Sequence, residues 1–175
     1  MKKLKMVIVV LCLIFSTTVY ANNYSQQLSR FERQFSLTDQ DLISITGDEK
    51  DQLMCLSLNV YFEARGTIIK QQSGVAWVVK NRARSDRYQT HNLCDVVFER
   101  YYGVPQFSWT STQHNVSKIE VSSWRQAQNI AKGVYYDKIS DPTSGARSFH
   151  ELRIGTGGSR GIRIGTHIFY DLAAK

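Results

Sequence analysis

The chain has only two prolines, Pro105 and Pro142, in 175 residues, so no proline-rich linker divides it. No segment repeats, which excludes a solenoid or a repeat array. HExxH, CxxC and comparable ligand spacings are absent, so neither a metal nor another cofactor is expected. The glycine-rich stretch Gly155-Thr156-Gly157-Gly158-Ser159-Arg160-Gly161 precedes a candidate strand instead of opening a helix, which argues against a phosphate cradle. The basic residues are dispersed and no nucleic-acid-binding motif occurs, so no nucleic-acid partner is expected. Long hydrophobic runs are also missing. The longest covers ten residues, Met6 to Phe15, too short to span a bilayer comfortably.

That run has the flanks of an export signal. Lys2, Lys3 and Lys5 precede it, and Val19-Tyr20-Ala21 follows with small residues where a signal peptidase cuts. Residues 1–21 therefore read as a secretory signal peptide removed after Ala21, with retention as an N-terminal anchor the alternative. An exported protein with no stable membrane anchor after cleavage is expected. Cys12 departs with the leader, which leaves Cys55 and Cys94. An even pair in an exported chain suits a disulfide, which would contribute about 3–4 kcal/mol in the chain-entropy picture. Two buried thiols are the other reading. The formal net charge is +7, and the three leader lysines account for part of it, leaving +4. A mild basic excess suits an anionic polymer, or simply a solvated surface.

Residues 22–50 are polar and read as a lead-in or a peripheral helix, with a helix start at Thr38-Asp39-Gln40-Asp41. The catalytic unit is expected over residues 51–175. Leu53, Leu56, Val60 and Ala64 recur at helical steps, and Gly66 is a plausible stop. A second helix is predicted from Ser73 to Arg84, and a short third one around Val96, Val97 and Phe98. Val121 to Tyr136 is the clearest amphipathic helix, with Trp124, Ala127, Ala131 and Val134 in one stripe and Ser122 or Ser123 as its cap. Arg147 to Leu152 and Ile164 to Tyr170 alternate as two short strands.

The richest segment is Cys55-Leu56-Ser57-Leu58-Asn59-Val60-Tyr61-Phe62-Glu63-Ala64-Arg65-Gly66. On a helix, Glu63 shares a mostly apolar face with Leu56, Asn59 and Val60. A carboxyl on such a face is partly desolvated, its pKa rises, and it becomes a general acid near neutral pH. The structural alternative is a Glu63 paired with Arg65 or another base at the helix end.

This segment resembles the N-terminal signature of the spore-cortex-lytic, SleB-type cell-wall hydrolase family. The likeness continues in order through Val75-Ala76-Trp77-Val78-Val79-Lys80-Asn81-Arg82, Cys94-Asp95-Val96-Val97-Phe98 and Gln106-Phe107-Ser108-Trp109-Thr110. It closes with Asp141-Pro142-Thr143-Ser144-Gly145-Ala146 and Ile164-Gly165-Thr166-His167-Ile168-Phe169-Tyr170. It spans about Leu53 to Tyr170. The resemblance implies an α+β fold: a mainly helical, lysozyme-like or lytic-transglycosylase-like domain with a small antiparallel β-sheet near the C-terminus. It also implies cleavage of peptidoglycan glycan strands, with the glutamate of Phe62-Glu63-Ala64-Arg65 as the catalytic acid. Two stretches depart from the family pattern, Thr67-Ile68-Ile69-Lys70-Gln71 and the glycine loop Gly155 to Gly161. Family contacts there do not carry over.

Phe107 and Trp109 are candidates for a sugar-stacking wall, with core packing as the other reading. Gln106 and Ser108 offer hydrogen bonds to sugar substituents. His150, His167 and Tyr170 either face the cleft or are structural. Tyr61 and Trp124 read as structural. None of Asp95, Glu99, Asp137, Asp141 or Glu151 stands out as a second catalytic carboxylate, which fits a lytic transglycosylase better than a hydrolytic muramidase. The rival functions are a wall cysteine peptidase using Cys55 or Cys94 with His150 or His167, and a non-catalytic wall-binding module. The expected site of action is the periplasm or cell wall, or a host periplasm for a phage-encoded protein.

Overall fold

The computed structural model describes residues 24–32, 34–37, 44–88, 90–111, 119–152 and 161–171. The signal peptide read over residues 1–21, the helix start at Thr38 to Asp41, and the glycine loop up to Arg160 lie outside the described residues. No helix among the described residues is long and apolar enough to cross a membrane.

The chain divides into two compact units, Met1–Phe35 and Ser36–Lys175. The first contains a short helix, α1, over residues 24–32. The second begins at Ser36, upstream of the boundary expected at residue 51. Polar side chains tie the earlier residues into it. Trp124 Nε1 donates to the Ser36 carbonyl at 2.9 Å, Asn92 Nδ2 to Asp48 at 2.9 Å, and the Tyr136 hydroxyl to Glu49 at 2.9 Å. Apolar periodicity does not register such bonds.

Helix α2, Gly47–Ala64, starts before the predicted Leu53 because its first turn is acidic, not apolar. Asp48 and Glu49 lie there, at the positive end of the helix dipole. From Leu53 to Tyr61 every residue is buried, so α2 is surrounded on all sides. It packs against α3 (Ile69–Ala83), α4 (Leu93–Val97) and α5 (Val121–Tyr135). The helix ends where Arg65 turns extended and Gly66 takes φ +77°, a left-handed conformation that costs glycine little. Cys55 on α2 and Cys94 on α4 are joined by a disulfide.

Helix α3 also starts earlier than the predicted Ser73. Its first turn is polar but satisfied. Gln72 Nε2 donates to the Thr67 carbonyl at 2.8 Å, and Ser73 Oγ to the Ile69 carbonyl at 2.9 Å. Helix α5 buries the expected stripe of Trp124, Ala127, Ala131 and Val134. Its N-cap is Glu120, and neither Ser122 nor Ser123 caps it; the Ser122 hydroxyl donates to Glu120 Oε1 instead. Its C-terminus is closed from α3, where Lys80 Nζ donates to the carbonyls of Val134 at 2.6 Å and Tyr135 at 2.7 Å. A lysine there meets the negative end of the dipole.

Two antiparallel sheets complete the unit. Strands β1 (Arg100–Tyr101) and β2 (Val104–Pro105) form a hairpin. Its turn residues Tyr102 and Gly103 both have positive φ, the type I′ pattern. The second sheet has the order β3-β5-β4, with β3 Ser148–Glu151, β4 Ile162–Ile164 and β5 His167–Tyr170. The single strand expected over Ile164 to Tyr170 is thus two strands. Ile164 pairs with His167 across a two-residue turn, and Gly165 takes φ +60° at its first position. Gln71 of α3 holds that turn. Its Oε1 accepts from Thr166 N at 3.1 Å and its Nε2 donates to Thr166 Oγ1 at 3.0 Å. Beneath the sheet lies a core of Ala64, Val75, Val78, Ala146, Ile164 and Phe169. The architecture is the mainly helical α+β arrangement with a small C-terminal sheet expected of a lysozyme-like domain.

Candidate active site

Because α2 is buried from Leu53 to Tyr61, polar side chains reach a surface only before that stretch and in the last turn after it. That turn carries Phe62 and Glu63 to the floor of a cleft of about 620 Å³. The 105–109 segment forms one wall and the strands β3 and β5 the other. Glu63 is half-buried. Burial, and secondarily the negative charge of Glu151, raise its pKa from 4.5 to about 7. Among the described residues nothing hydrogen-bonds or ion-pairs with its carboxyl. Arg65 does not pair with it; that guanidinium lies 5.1 Å from the Tyr61 ring.

The 105–109 wall is anchored from both ends. Gln106 N donates to the Glu99 carbonyl at 3.0 Å, and Trp109 Nε1 donates to Asn59 Oδ1 on α2 at 3.1 Å. Gln106, Phe107, Ser108 and Trp109 all line the cleft. Gln106 and Ser108 are exposed there. Phe107 and Trp109 are each only 3% exposed, so they serve more as backing than as a stacking surface. Phe62, which the sequence reading passed over, stacks on Trp109 with ring centroids 4.9 Å apart and planes 17° from parallel. It is half-buried and lines the cleft, so it is the ring of this pair with accessible area. Its place next to Glu63 in the chain was the available signal.

Across the cleft, β3 supplies Phe149, His150 and Glu151, and β5 supplies His167. The Phe149 ring stacks on His167 with centroids 5.0 Å apart. His167 is buried, and desolvation lowers its pKa, so it is a neutral imidazole at neutral pH. His150 Nδ1 lies 2.9 Å from the Glu151 carbonyl. Tyr170 is not brought to the cleft lining; it packs beside His150, with ring centroids 5.5 Å apart. Arg82 of α3, also unforeseen, lines the cleft. It continues the Val75 and Val78 stripe by helical spacing, and a charge in that stripe was the missed clue.

The other carboxylates considered for catalysis are occupied or elsewhere. Asp137 binds Lys80 and Arg84. Asp141 holds its own turn. Burial would raise that carboxyl, but hydrogen bonds from Thr143, Asn81 and Gly145 outweigh it and keep the pKa low. Asp95 accepts from Thr90, and Glu99 is off the lining. Of these acids only Glu151 faces the cleft with Glu63. Among the described residues no group of three or more His, Cys, Asp or Glu side chains could hold a metal. Cys55 and Cys94, bonded to each other and fully buried, present no thiolate for nucleophilic attack.

The model of the cell wall hydrolase family matches residues 66–170. The match includes the 105–109 wall and both sheet residues His150 and His167, and it starts just past Glu63. No curated protein and no solved structure matches.

Proposed function

Since the chain belongs to the cell wall hydrolase family and acts on peptidoglycan, we propose that it is a lytic transglycosylase with Glu63 as its acid and then its base. The bond cleaved is the one between N-acetylmuramic acid and N-acetylglucosamine. The observation that carries this reading is the Glu63 carboxyl. It is half-buried in the cleft, without a partner among the described residues, and holds its proton to about pH 7.

Protonated Glu63 donates to the glycosidic oxygen as the muramic C1–O bond breaks, and the acetylglucosamine leaves as an alcohol. The muramic acetamido oxygen bonds to the electron-poor C1. Glu63, now a carboxylate, takes the proton of the muramic 6-hydroxyl, and O6 displaces the acetamido oxygen from C1. The product is a 1,6-anhydro ring, Glu63 is protonated again, and no water is consumed. One acid suffices for this cycle, and in this reading Phe62, Gln106 and Ser108, which line the cleft, hold the sugars.

Glu151 supports a second reading. It is a carboxylate on the same cleft, and a pair of carboxylates could instead activate water in a hydrolytic muramidase. Mass spectrometry of digested peptidoglycan separates the two. Anhydro ends are expected, and reducing ends alone would overturn the non-hydrolytic route. Glu63→Gln is expected to abolish cleavage by either route, and full activity in that variant would end the assignment. The leader-like Lys2 to Ala21 stretch and the Cys55–Cys94 disulfide support action outside the cytoplasm, in the periplasm or wall.

A further inference from the structure

Arg82 belongs to the cleft but takes no part in the steps above. It is 8% exposed, and it lines the cleft. Its Nε donates to the Arg147 carbonyl at 2.8 Å, which fixes the guanidinium plane. The Phe107 ring centroid lies 5.3 Å from Cζ and that of Tyr88 5.7 Å. Nη1 is buried with no hydrogen-bond partner. No carboxylate forms an ion pair with Arg82 among the described residues. Glu99 feels its charge, but burial raises the pKa of Glu99 even so, and its carboxyl is not on the lining.

A guanidinium cannot shed its charge by deprotonating as a lysine can. Buried without a counter-ion, it is costly, and an arriving anion recovers that cost. His167 repeats the pattern without charge. It is 4% exposed, lines the same cleft, and its Nδ1 is buried without a partner. Two nearly buried side chains on one cleft therefore each keep an unused hydrogen-bonding atom.

We propose that Arg82 is the carboxylate-binding residue of the cleft, seating an acidic group on the muramic side of the glycan strand while His167 hydrogen-bonds beside it. This inference rests on the peptidoglycan reading. It makes the enzyme selective for acidic N-acetyl-hexosamine polymers over neutral ones. The planar fork of Arg82 suits two carboxylate oxygens. On this substrate a carboxylate has two sources: the lactyl ether of muramic acid in strands stripped of peptide, and the acidic residues of the peptide stem.

The test is a binding measurement in the full chain carrying Glu63→Gln, so that no ligand is cut. Isothermal titration is run with peptide-free muramyl glycan oligomers and with peptide-bearing ones, each as the free acid and after conversion of the carboxyls to primary amides. Amidation is expected to weaken binding about tenfold or more, in whichever ligand carries the recognised group, which identifies the source. Adding Arg82→Gln is expected to weaken the acid form by a similar factor and to leave the amide form unchanged. Equal affinity for acid and amide overturns the proposal. So does discrimination that survives Arg82→Gln. Should that variant fail to fold, the amidation comparison in the Arg82 protein still decides. Failure of every oligomer to bind would remove the peptidoglycan reading itself, whereas binding without discrimination removes only the role of Arg82.

Discussion

A carboxyl kept protonated by burial costs the fold stability once the pH is high enough to ionise it in the unfolded chain, and Glu63 makes that cost measurable. In the unfolded chain its proton leaves near pH 4.5, and in the fold near 7. The folded state thus binds the proton more tightly, so stability is highest below pH 4.5 and falls as the pH rises to about 7. Above that it changes no further through this group. The interval between the two values, at about 1.36 kcal/mol per pH unit, is about 3 kcal/mol. Glu63→Gln keeps the shape and removes the titration. Urea unfolding of both proteins from pH 5 to pH 8 is the assay. The variant is expected to gain about 1 kcal/mol relative to the wild type at pH 5 and about 3 kcal/mol at pH 8. In a domain of this size the latter is about 6–12 °C in Tm. All other titrating groups are common to both proteins, so the pH slope of the difference reports Glu63 alone. A difference that stays flat with pH would refute the reasoning, because it would mean the carboxyl is not held out of water. The same substitution is expected to abolish glycan cleavage, so stability and activity move in opposite directions.

Glu151 raises the Glu63 pKa as the lesser cause after burial; Glu151→Gln is expected to move the alkaline limb of the kcat/KM profile to lower pH by less than one unit, and an unmoved limb would show that the two charges do not interact. The Cys55–Cys94 bridge spans 39 residues, so replacing both cysteines with alanine is expected to lower stability by about 4 kcal/mol, read by urea unfolding with and without reductant. Lys80→Met leaves the carbonyls of Val134 and Tyr135 without their donor and is expected to cost about 2 kcal/mol or more, with fraying of α5 visible as loss of amide-exchange protection at its last turn.

The interior of each long helix was legible because apolar residues recur with the helical period, as in Leu53, Leu56, Val60 and Ala64. The helix starts were not, because α2 opens on acidic residues and α3 on polar ones, with Gln71 bonded to distant Thr166 and Gln72 to the Thr67 carbonyl just upstream. The strand over Ile164 to Tyr170 looked continuous because its alternation persists through Gly165 and Thr166. A two-residue turn preserves that period, and only the left-handed Gly165 signals the reversal. At the site, Glu63 was visible as an acid on an apolar helix face. Phe62 was not singled out, since a phenylalanine beside a buried helix face reads as core until Trp109 is seen stacked beneath it. Tyr170 was drawn in by its place in the last motif. Pairing places it opposite Ser148 at the end of the sheet, away from the cleft lining.

The chemistry of the cleft depends on where its positive charges go. Arg65 and Arg82 both line it with Glu63, and an arginine within about 4–6 Å of a carboxyl lowers its pKa by about 1–3 units. Either one, turned toward Glu63, would cancel most of what burial does and leave an ionised group with no proton to give. Neither is so turned. Arg65 is over the Tyr61 ring. Arg82 is tied to the Arg147 carbonyl and flanked by Phe107 and Tyr88. Aromatic faces and a backbone carbonyl hold both cations, and among the described residues no carboxylate forms an ion pair with either. The result is a cleft that contains a carboxyl protonated to about pH 7 and two guanidinium groups without pairing them. The carboxyl thus keeps the proton that the proposed cycle gives to the glycosidic oxygen, and the guanidinium of Arg82 keeps the unused Nη1 on which the proposed carboxylate contact rests.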